Sequence, residues 1–100
     1  MAAEESEIKV TIKFFTTLRE IVGKREEQLS LPTQATLKDA IAELSRRYGA
    51  RFTDYALEKG EIKPPLQILI NGRNMGLLQR METMLKEGDT VAILPPTGGG

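Results

Sequence analysis

The chain has 100 residues, 40% of them hydrophobic and 28% charged, which predicts one globular domain with a modest core. It contains no Cys and no His, so it lacks disulfides, a thiol nucleophile, the usual general base and most transition-metal ligands; neither a metal site nor a free-standing catalytic site is predicted. Fourteen basic and fourteen acidic residues balance, and no long apolar run or signal-peptide pattern occurs, which favours a cytoplasmic protein with no nucleic-acid and no membrane partner.

The first elements follow from the apolar periodicity. Residues 1–6 are small and acidic, without periodicity, and predict a disordered lead. Ile8 to Phe14 alternates apolar and polar side chains, which predicts a strand with one buried face. Thr16 to Val22 predicts a short helix ended by Gly23, and Glu26 to Leu31 predicts a second strand, antiparallel to the first.

The strongest helix pattern begins after Thr36. Thr36 and Asp39 form a capping-box-like arrangement, and the next apolar side chains recur at helical spacing, at Leu37, Ala40, Ile41, Leu44 and Tyr48. Gly49 ends this helix. Arg46 and Arg47 fall in the last turn, where they are either a docking site or a solvated pair that the helix dipole favours.

The chain becomes less regular before it returns to strands. Residues 50–65 predict a partly helical segment and then a turn at Lys59-Gly60-Glu61. Pro64-Pro65 predicts an extended lead into a strand over Leu66–Ile70, because the residue before a proline favours extended backbone. Asn71-Gly72 predicts a tight turn after that strand.

The last strand is predicted over Thr90–Leu94, after a turn at Lys86–Asp89. It is apolar on both faces, which is typical of a central strand, and we expect it next to the first strand. Strands, one main helix and strands again predict an α+β domain, with a mixed sheet crossed by one main helix.

An apolar patch is predicted where the last strand ends. Phe15 follows the polar face of the first strand, and Leu94 lies on the face opposite Val91 and Ile93. If the two strands are neighbours, Phe15 and Leu94 lie together on the uncovered face, with Met75 and Leu77 as an extension from the preceding loop. A contiguous exposed apolar patch indicates partner binding, whereas the alternative is a satellite cluster beneath the loop.

The C-terminal residues predict a shaped, flexible tail. Pro95 and Pro96 stiffen the exit from the domain, and Gly98, Gly99 and Gly100 remove every side chain near the final carboxylate. Such a tail suits insertion into a narrow slot on a partner. The alternatives are a tag remnant or a terminus without function.

Two parts of the sequence together resemble the small subunit of molybdopterin synthase. Ile8–Phe15 and Leu18–Gly23 resemble the start of that family. Gly88–Gly100 resembles its end, which is a strand, two prolines, two variable residues (here Thr97-Gly98) and a diglycine (here Gly99-Gly100). The resemblance covers about residues 7–100 and implies a ubiquitin-like β-grasp fold. The same fold and ending occur in the thiamine sulfur carrier, the ubiquitin-related tRNA-thiolation modifier and archaeal small modifiers, and the sequence looks close to the archaeal branch.

After the lead over residues 1–6 that composition predicts, the resemblance implies a β-grasp domain over residues 7–94 and a flexible diglycine tail over residues 95–100. It implies a non-catalytic carrier that binds no cofactor itself. An adenylating enzyme would activate the carboxylate of Gly100 with ATP and Mg, Gly98 and Gly99 would give clearance, and the patch with Pro95 and Pro96 would contact partners.

Two fates of the activated carboxylate follow from the resemblance. A thiocarboxylate on Gly100 would donate sulfur inside the large catalytic subunit of molybdopterin synthase. Alternatively, Gly100 would be joined to lysines of target proteins, as in a ubiquitin-like modifier. A third hypothesis is a non-covalent binding domain with an incidental tail. Whether Gly100 is the natural end or one exposed by a protease stays open at this stage.

Overall fold

The computed structural model describes residues 7–95, apart from the side chain of Leu77. Over these residues the chain forms seven strands and three α-helices: β1 (Glu7–Phe14), α1 (Thr16–Val22), β2 (Glu26–Pro32), α2 (Leu37–Tyr48), α3 (Ala50–Ala56), β3 (Leu57–Glu58), β4 (Glu61–Ile62), β5 (Gln67–Ile70), β6 (Arg73–Asn74) and β7 (Thr90–Leu94). Two 3₁₀ turns, Met75–Leu77 and Arg80–Glu82, precede β7. The predicted lead and residues 96–100 of the predicted tail lie outside the described residues.

The described residues form a mixed five-stranded sheet in the order β2-β1-β7-β5-β6. β1 pairs antiparallel with β2 and parallel with β7, whereas β7 and β6 both run antiparallel to β5. The last strand is therefore central and lies next to the first, as predicted. β7 therefore has hydrogen-bonded neighbours on both of its edges.

The buried face of the sheet carries the alternating apolar side chains. β1 alternates buried and more exposed positions along its whole length, and β2 does so from Leu29 to Leu31. α1 ends at Gly23, whose φ of 82° is a left-handed conformation that glycine adopts without a Cβ clash. The strand–helix–strand order predicted for the first third of the chain is confirmed.

Helix α2 lies across this buried face and closes the core. The side chain of Thr36 accepts a hydrogen bond from the backbone N–H of Asp39 (3.4 Å), and an Asp39 carboxylate oxygen accepts one from the backbone N–H of Thr36 (2.8 Å), which is the predicted capping box. The apolar stripe is buried from Leu37 to Leu44. At the end of the helix, the ring of Tyr48 packs edge-on against Phe14 at 6.2 Å between centroids.

The region after α2 is more ordered than the sequence predicts. It forms helix α3 and a small hairpin in which Leu57 pairs with Ile62. Pro64-Pro65 does not extend the chain: the pair forms a turn with a cis peptide bond, and the N–H of Leu66 donates to the carbonyl of Lys63 at 2.9 Å. The extended lead into the strand was therefore a wrong prediction. Because its N–H is used in the turn, Leu66 stays outside β5, which begins at Gln67.

Among residues 7–95, none of the helices is long and apolar enough to span a bilayer.

Candidate partner-docking site at the root of the tail

The central strand β7 carries the chain out of the sheet between β1 and β5. In the parallel register Phe14 pairs with Ile93, so Phe15 and Leu94 come next at the same end of two adjacent strands. Neighbouring strands lie about 4.8 Å apart, which brings these two positions together at the root of the tail. Leu94 also pairs with Gln67 of β5 on its other side. The predicted neighbourhood of the first and last strands is confirmed.

The sheet face opposite α2 remains open around this exit. On β7, Val91 and Ile93 are at most 1% exposed, whereas Ala92 and Leu94 are only partly buried. Because side chains alternate along a strand, Ala92 and Leu94 share the face that the helix does not cover. Leu69 of β5 is also partly buried and pairs directly with Ala92.

We call Phe15, Leu69, Ala92 and Leu94 the docking face. The sequence predicts Phe15 and Leu94 as partner-binding residues, and both are partly buried next to the tail. It does not predict Leu69 and Ala92 there, because their position depends on the pairing of β5 with β7. The sequence pattern could have predicted Ala92, because residues two apart in a strand lie on the same face and Ala92 is two residues before Leu94.

Met75 does not belong to this face. Its side chain is only 9% exposed and forms part of the hydrophobic core, so it does not extend an exposed patch as the sequence predicts. The 3₁₀ turn that begins at Met75 directs the chain back over β5 and makes this residue a core contact. Pro95 is partly buried, whereas Pro96, Gly98, Gly99 and Gly100 lie outside the described residues.

The basic pair at the end of α2 is engaged in ion pairs on the other side of the molecule. Arg46 and Arg47 both donate to Glu43, at 2.5 Å and 2.8 Å, and Arg47 also reaches Glu27 on β2. These hydrogen bonds lower the pKa of Glu43 to about 2, and the bond from Arg46 has the larger effect. Burial raises the pKa of Tyr48, whose hydroxyl donates to Glu27. The cluster connects α2 to β2, so Arg46 and Arg47 are ion-paired at the helix end rather than only solvated there.

Within residues 7–95, there is no group of three or more Asp or Glu side chains arranged to hold a metal ion. A cavity of about 530 Å³ in the described part of the chain is lined by residues such as Asn71, Met84 and Asp89. It lies near the start of β7, at the opposite end of that strand from the tail.

The fold defines the class of protein: a mixed sheet crossed by one main helix, with the last strand inserted parallel to the first, is a ubiquitin-like β-grasp. The chain belongs to the ThiS family, whose model matches residues 12–100.

Two curated relatives and one solved structure make the likeness more specific. The small archaeal modifier protein 3 of Haloferax volcanii is 34% identical over 93 residues, which cover 93% of this chain and 100% of that protein. The molybdopterin synthase sulfur carrier subunit of Drosophila yakuba is 28% identical over 102 residues and is matched over 100% of both chains. The solution structure of small archaeal modifier protein 1 from Methanosarcina acetivorans is 35% identical and has a TM-score of 0.78, covering 94% of this chain and 98% of that one.

These findings confirm the family and the fold inferred from the resemblance. The chain is a ubiquitin-like protein of the class that contains sulfur carriers and archaeal modifiers.

Proposed function

We propose that this chain is a sulfur carrier whose Gly100 carboxylate is adenylated and then converted to a thiocarboxylate, which donates sulfur in molybdopterin biosynthesis. The observation that carries the proposal is the exit of the central strand beside an open, partly apolar face, in a chain that matches the family through residue 100. The full-length likeness to a molybdopterin synthase sulfur carrier subunit supports this particular pathway.

The chemistry explains why a separate activating enzyme is needed. A terminal carboxylate has a pKa of about 3.5, so at neutral pH it is an anion and a poor electrophile. Attack of a Gly100 carboxylate oxygen on the α-phosphorus of ATP, with Mg²⁺ on the activating enzyme, would release pyrophosphate and leave an acyl-adenylate. A sulfur nucleophile then attacks the acyl carbon, and AMP leaves with the carboxylate oxygen. When the nucleophile is hydrosulfide, loss of its proton leaves a thiocarboxylate on Gly100. When it is a protein persulfide, an acyl disulfide forms first, and reduction of its S–S bond by thiols, which become a disulfide, releases the donor and leaves the thiocarboxylate.

The residues of the chain bind and position, and the partners supply the reactive groups. Gly98 and Gly99 give clearance because they have no Cβ to meet the walls of a partner's channel. Phe15 and Leu94 provide the apolar contact beside that channel, and Pro95 and Pro96 restrict the direction in which the tail leaves. Of the predicted docking residues, Met75 is excluded from this surface by its burial.

A second function is favoured by a specific observation. The small archaeal modifier protein 3 of Haloferax volcanii is matched over its whole length at 34% identity. In a modifier, the same adenylate would pass to an enzyme cysteine, and the amine of a target lysine would then attack to form an isopeptide bond with Gly100. Both functions use one activation step and differ only in the nucleophile that follows.

Mass spectrometry of the chain recovered from its native cells tests both functions. A carrier is expected to show the replacement of one oxygen by sulfur at Gly100, when purified without reductant under denaturing conditions. A modifier is expected to leave glycine remnants on lysines of other proteins. If a chain that ends at Gly100 carries neither product, that result contradicts the proposal and favours the non-covalent binding domain.

A variant at the last residue provides the control. Gly100→Trp is expected to abolish both products, because the added side chain meets the walls of the channel. Its melting temperature should match that of the parent chain, since the substitution lies beyond the buried core. A product formed at the parent level by this variant would contradict the proposed role of the bare tail.

A further inference from the structure

A small basic cavity opens beside the docking face, at the junction of β1, α1 and β2. It has a volume of about 190 Å³ and is lined by Lys13, Phe14, Phe15, Arg19, Arg25 and Glu26. We call it the Arg19 cavity. Three of its lining side chains are cationic and one is a carboxylate, in a chain whose overall charge is zero.

The sheet register joins the Arg19 cavity to the docking face. Lys13 pairs with Glu26 on one side and with Ala92 of the docking face on the other. Phe15 belongs to both the cavity wall and the docking face. A partner that covers Phe15 therefore also borders this cavity.

The backbone fixes the positions of the two arginines. The carbonyl of Phe15 accepts a hydrogen bond from the N–H of Arg19 at 3.5 Å, in the first turn of α1. The carbonyl of Arg25 accepts one from the N–H of Phe14 at 2.8 Å. Both arginines are thus held on opposite sides of the end of β1.

The cations of this cavity have no anionic partner in the described structure. The ion pairs found within residues 7–95 join Lys24, Arg46 and Arg47 to Glu27 and Glu43, and none of them involves a side chain of the cavity.

The Nε of Arg19 is the most informative atom here. It is buried and has no hydrogen-bond partner among the described residues. Buried polar side-chain atoms are nearly always paired, because an unpaired donor loses its bonds to water without replacement. An oxyanion that entered the cavity would supply an acceptor that this guanidinium lacks.

We propose that the Arg19 cavity binds the carboxylate of an acidic side chain presented by the protein that engages the tail. This inference rests on the proposed function for the identity of that partner. An Arg guanidinium matches a carboxylate through two parallel hydrogen bonds, and Lys13 and Arg25 add favourable charge around it. The volume is below the roughly 300 Å³ of the smallest usual ligand pockets, so it suits a single Asp or Glu side chain rather than a nucleotide.

A carboxylate contact at this place has a specific use. The open face provides apolar contact, which is not directional, whereas a paired charge fixes orientation and rejects partners that lack an acidic residue there. Since the cavity adjoins Phe15, the contact would set how the partner sits on the sheet next to the tail.

The test is a nuclear magnetic resonance titration of the full chain, observing the Nε–Hε signal of Arg19 and the amide signals of Phe15 and Arg25. The probe is an acetylated tetraglutamate peptide, with sodium chloride at equal ionic strength as reference. We expect saturable shifts of these signals with the peptide alone. Arg19→Gln should weaken the peptide about tenfold, since a hydrogen bond to a charged group is lost.

Matched variants keep the result independent of folding and of general charge. Arg73→Gln removes one exposed cation from edge strand β6, on the opposite side of the sheet, and should leave peptide affinity within about twofold. Arg25→Gln changes an exposed residue of the cavity and should weaken binding of the peptide. If Arg19→Gln proves unstable, Arg25→Gln takes its place in the test, and a dispersed amide spectrum shows that the Arg25 variant is folded. Equal affinity in the Arg73, Arg25 and parent chains would overturn the proposal.

Two further arms distinguish other sources of the anion. Stronger saturable binding of inorganic phosphate than of the peptide would overturn the assignment to a protein carboxylate. A chain lacking Gly98–Gly100 tests whether the chain's own tail is the anion that fills the cavity. Peptide binding that appears only after this deletion would show that the tail occupies the cavity, and would overturn the proposal.

The titration uses no activating enzyme, so its failure is separate from failure of the proposed function. Thiocarboxylate at Gly100 without peptide binding would refute the Arg19 cavity alone. Peptide binding at Arg19 without any product at Gly100 would support an acidic partner site and refute the carrier and modifier chemistry.

Discussion

At the scale of single residues, Glu43 holds the side chain of Arg47, which links the end of α2 to the sheet. Its two oxygens accept hydrogen bonds from Arg46 and Arg47, and Arg47 also pairs with Glu27 on β2. The sequence shows a basic pair in the last helical turn, but it does not show which carboxylates face it. The partner Glu27 is twenty residues away along the chain and is brought near only by packing.

The acid sensitivity of this cluster is predicted from the pKa of Glu43. In the folded chain that pKa is about 2, below its usual 4.5, so the stabilisation is complete above pH 4.5 and is lost as the pH falls through 2. Glu43→Gln should therefore lower the melting temperature at pH 6, and the difference from the parent chain should shrink to nothing near pH 2. The effect is small because the pair is largely exposed.

Thermal unfolding of both chains between pH 2 and pH 7 measures this difference. Glu58→Gln serves as the control, because Glu58 is exposed and forms none of the ion pairs of the described chain. A difference for Glu43→Gln that is constant across the whole range would contradict the prediction.

At the scale of elements, α2 is the part in which local and tertiary preferences agree most completely. Its capping box, its apolar stripe and the left-handed Gly49 with φ 72° are all present in the sequence pattern and in the structure. The short elements behave differently: α3 and the β3–β4 hairpin are held by contacts such as the N–H of Lys63 donating to the carbonyl of Ala56 at 2.7 Å. A helix of seven residues has little stability of its own, so its existence depends on burial of side chains such as Phe52.

Loss of the cap of α2 should measurably destabilise the whole domain. Thr36→Ala removes the side-chain acceptor of the Asp39 N–H and is expected to lower the free energy of unfolding by about 1 kcal/mol. Thr36→Ser keeps a hydroxyl and should lose about half of this or less. Urea unfolding followed by circular dichroism measures both values, and equal losses in the two variants would show that the hydroxyl is not the cause.

At the scale of the whole molecule, the two faces of β7 differ in burial. Ile93 is 1% exposed and belongs to the core, whereas the next residue, Leu94, faces the open side. The same strand thus completes the hydrophobic core and leads directly to the tail. The sheet order makes this possible, because a central strand is fixed by neighbours on both edges.

Alanine substitutions at these two adjacent positions should therefore impair different properties: stability at Ile93 and activation at Leu94. Ile93→Ala is expected to lower the free energy of unfolding by about 2–5 kcal/mol, through lost burial and a residual cavity. Leu94→Ala should lose no more than about 1 kcal/mol, since its side chain is only partly buried. Under the proposed function, Leu94→Ala should slow adenylation of Gly100 more than Ile93→Ala does.

Urea unfolding and ATP–pyrophosphate exchange with the activating enzyme measure the two quantities, at a temperature where both variants are folded. If the chain with Leu94→Ala is activated at the parent rate, the open face does not contact that enzyme. If it unfolds as readily as the chain with Ile93→Ala, its side chain belongs to the core.

Features that depend on residues close together in the chain could be predicted from the amino-acid sequence alone. Strand alternation in β1, the cap and stripe of α2, the Asn71-Gly72 turn and the central character of β7 all follow from backbone sterics, local hydrogen bonds and the spacing of apolar side chains. The resemblance of its two ends to one family also led to the correct family and fold.

Which distant residues share a surface is visible only in the tertiary structure. The register of β7 between β1 and β5 places Ala92 beside Leu69, and the packing of the loop buries Met75. The fold also brings Arg19 and Arg25 to one cavity beside Phe15. The physical reason is that a spacing pattern specifies which side of its own element a residue occupies, whereas its neighbours across the sheet depend on how whole elements pack.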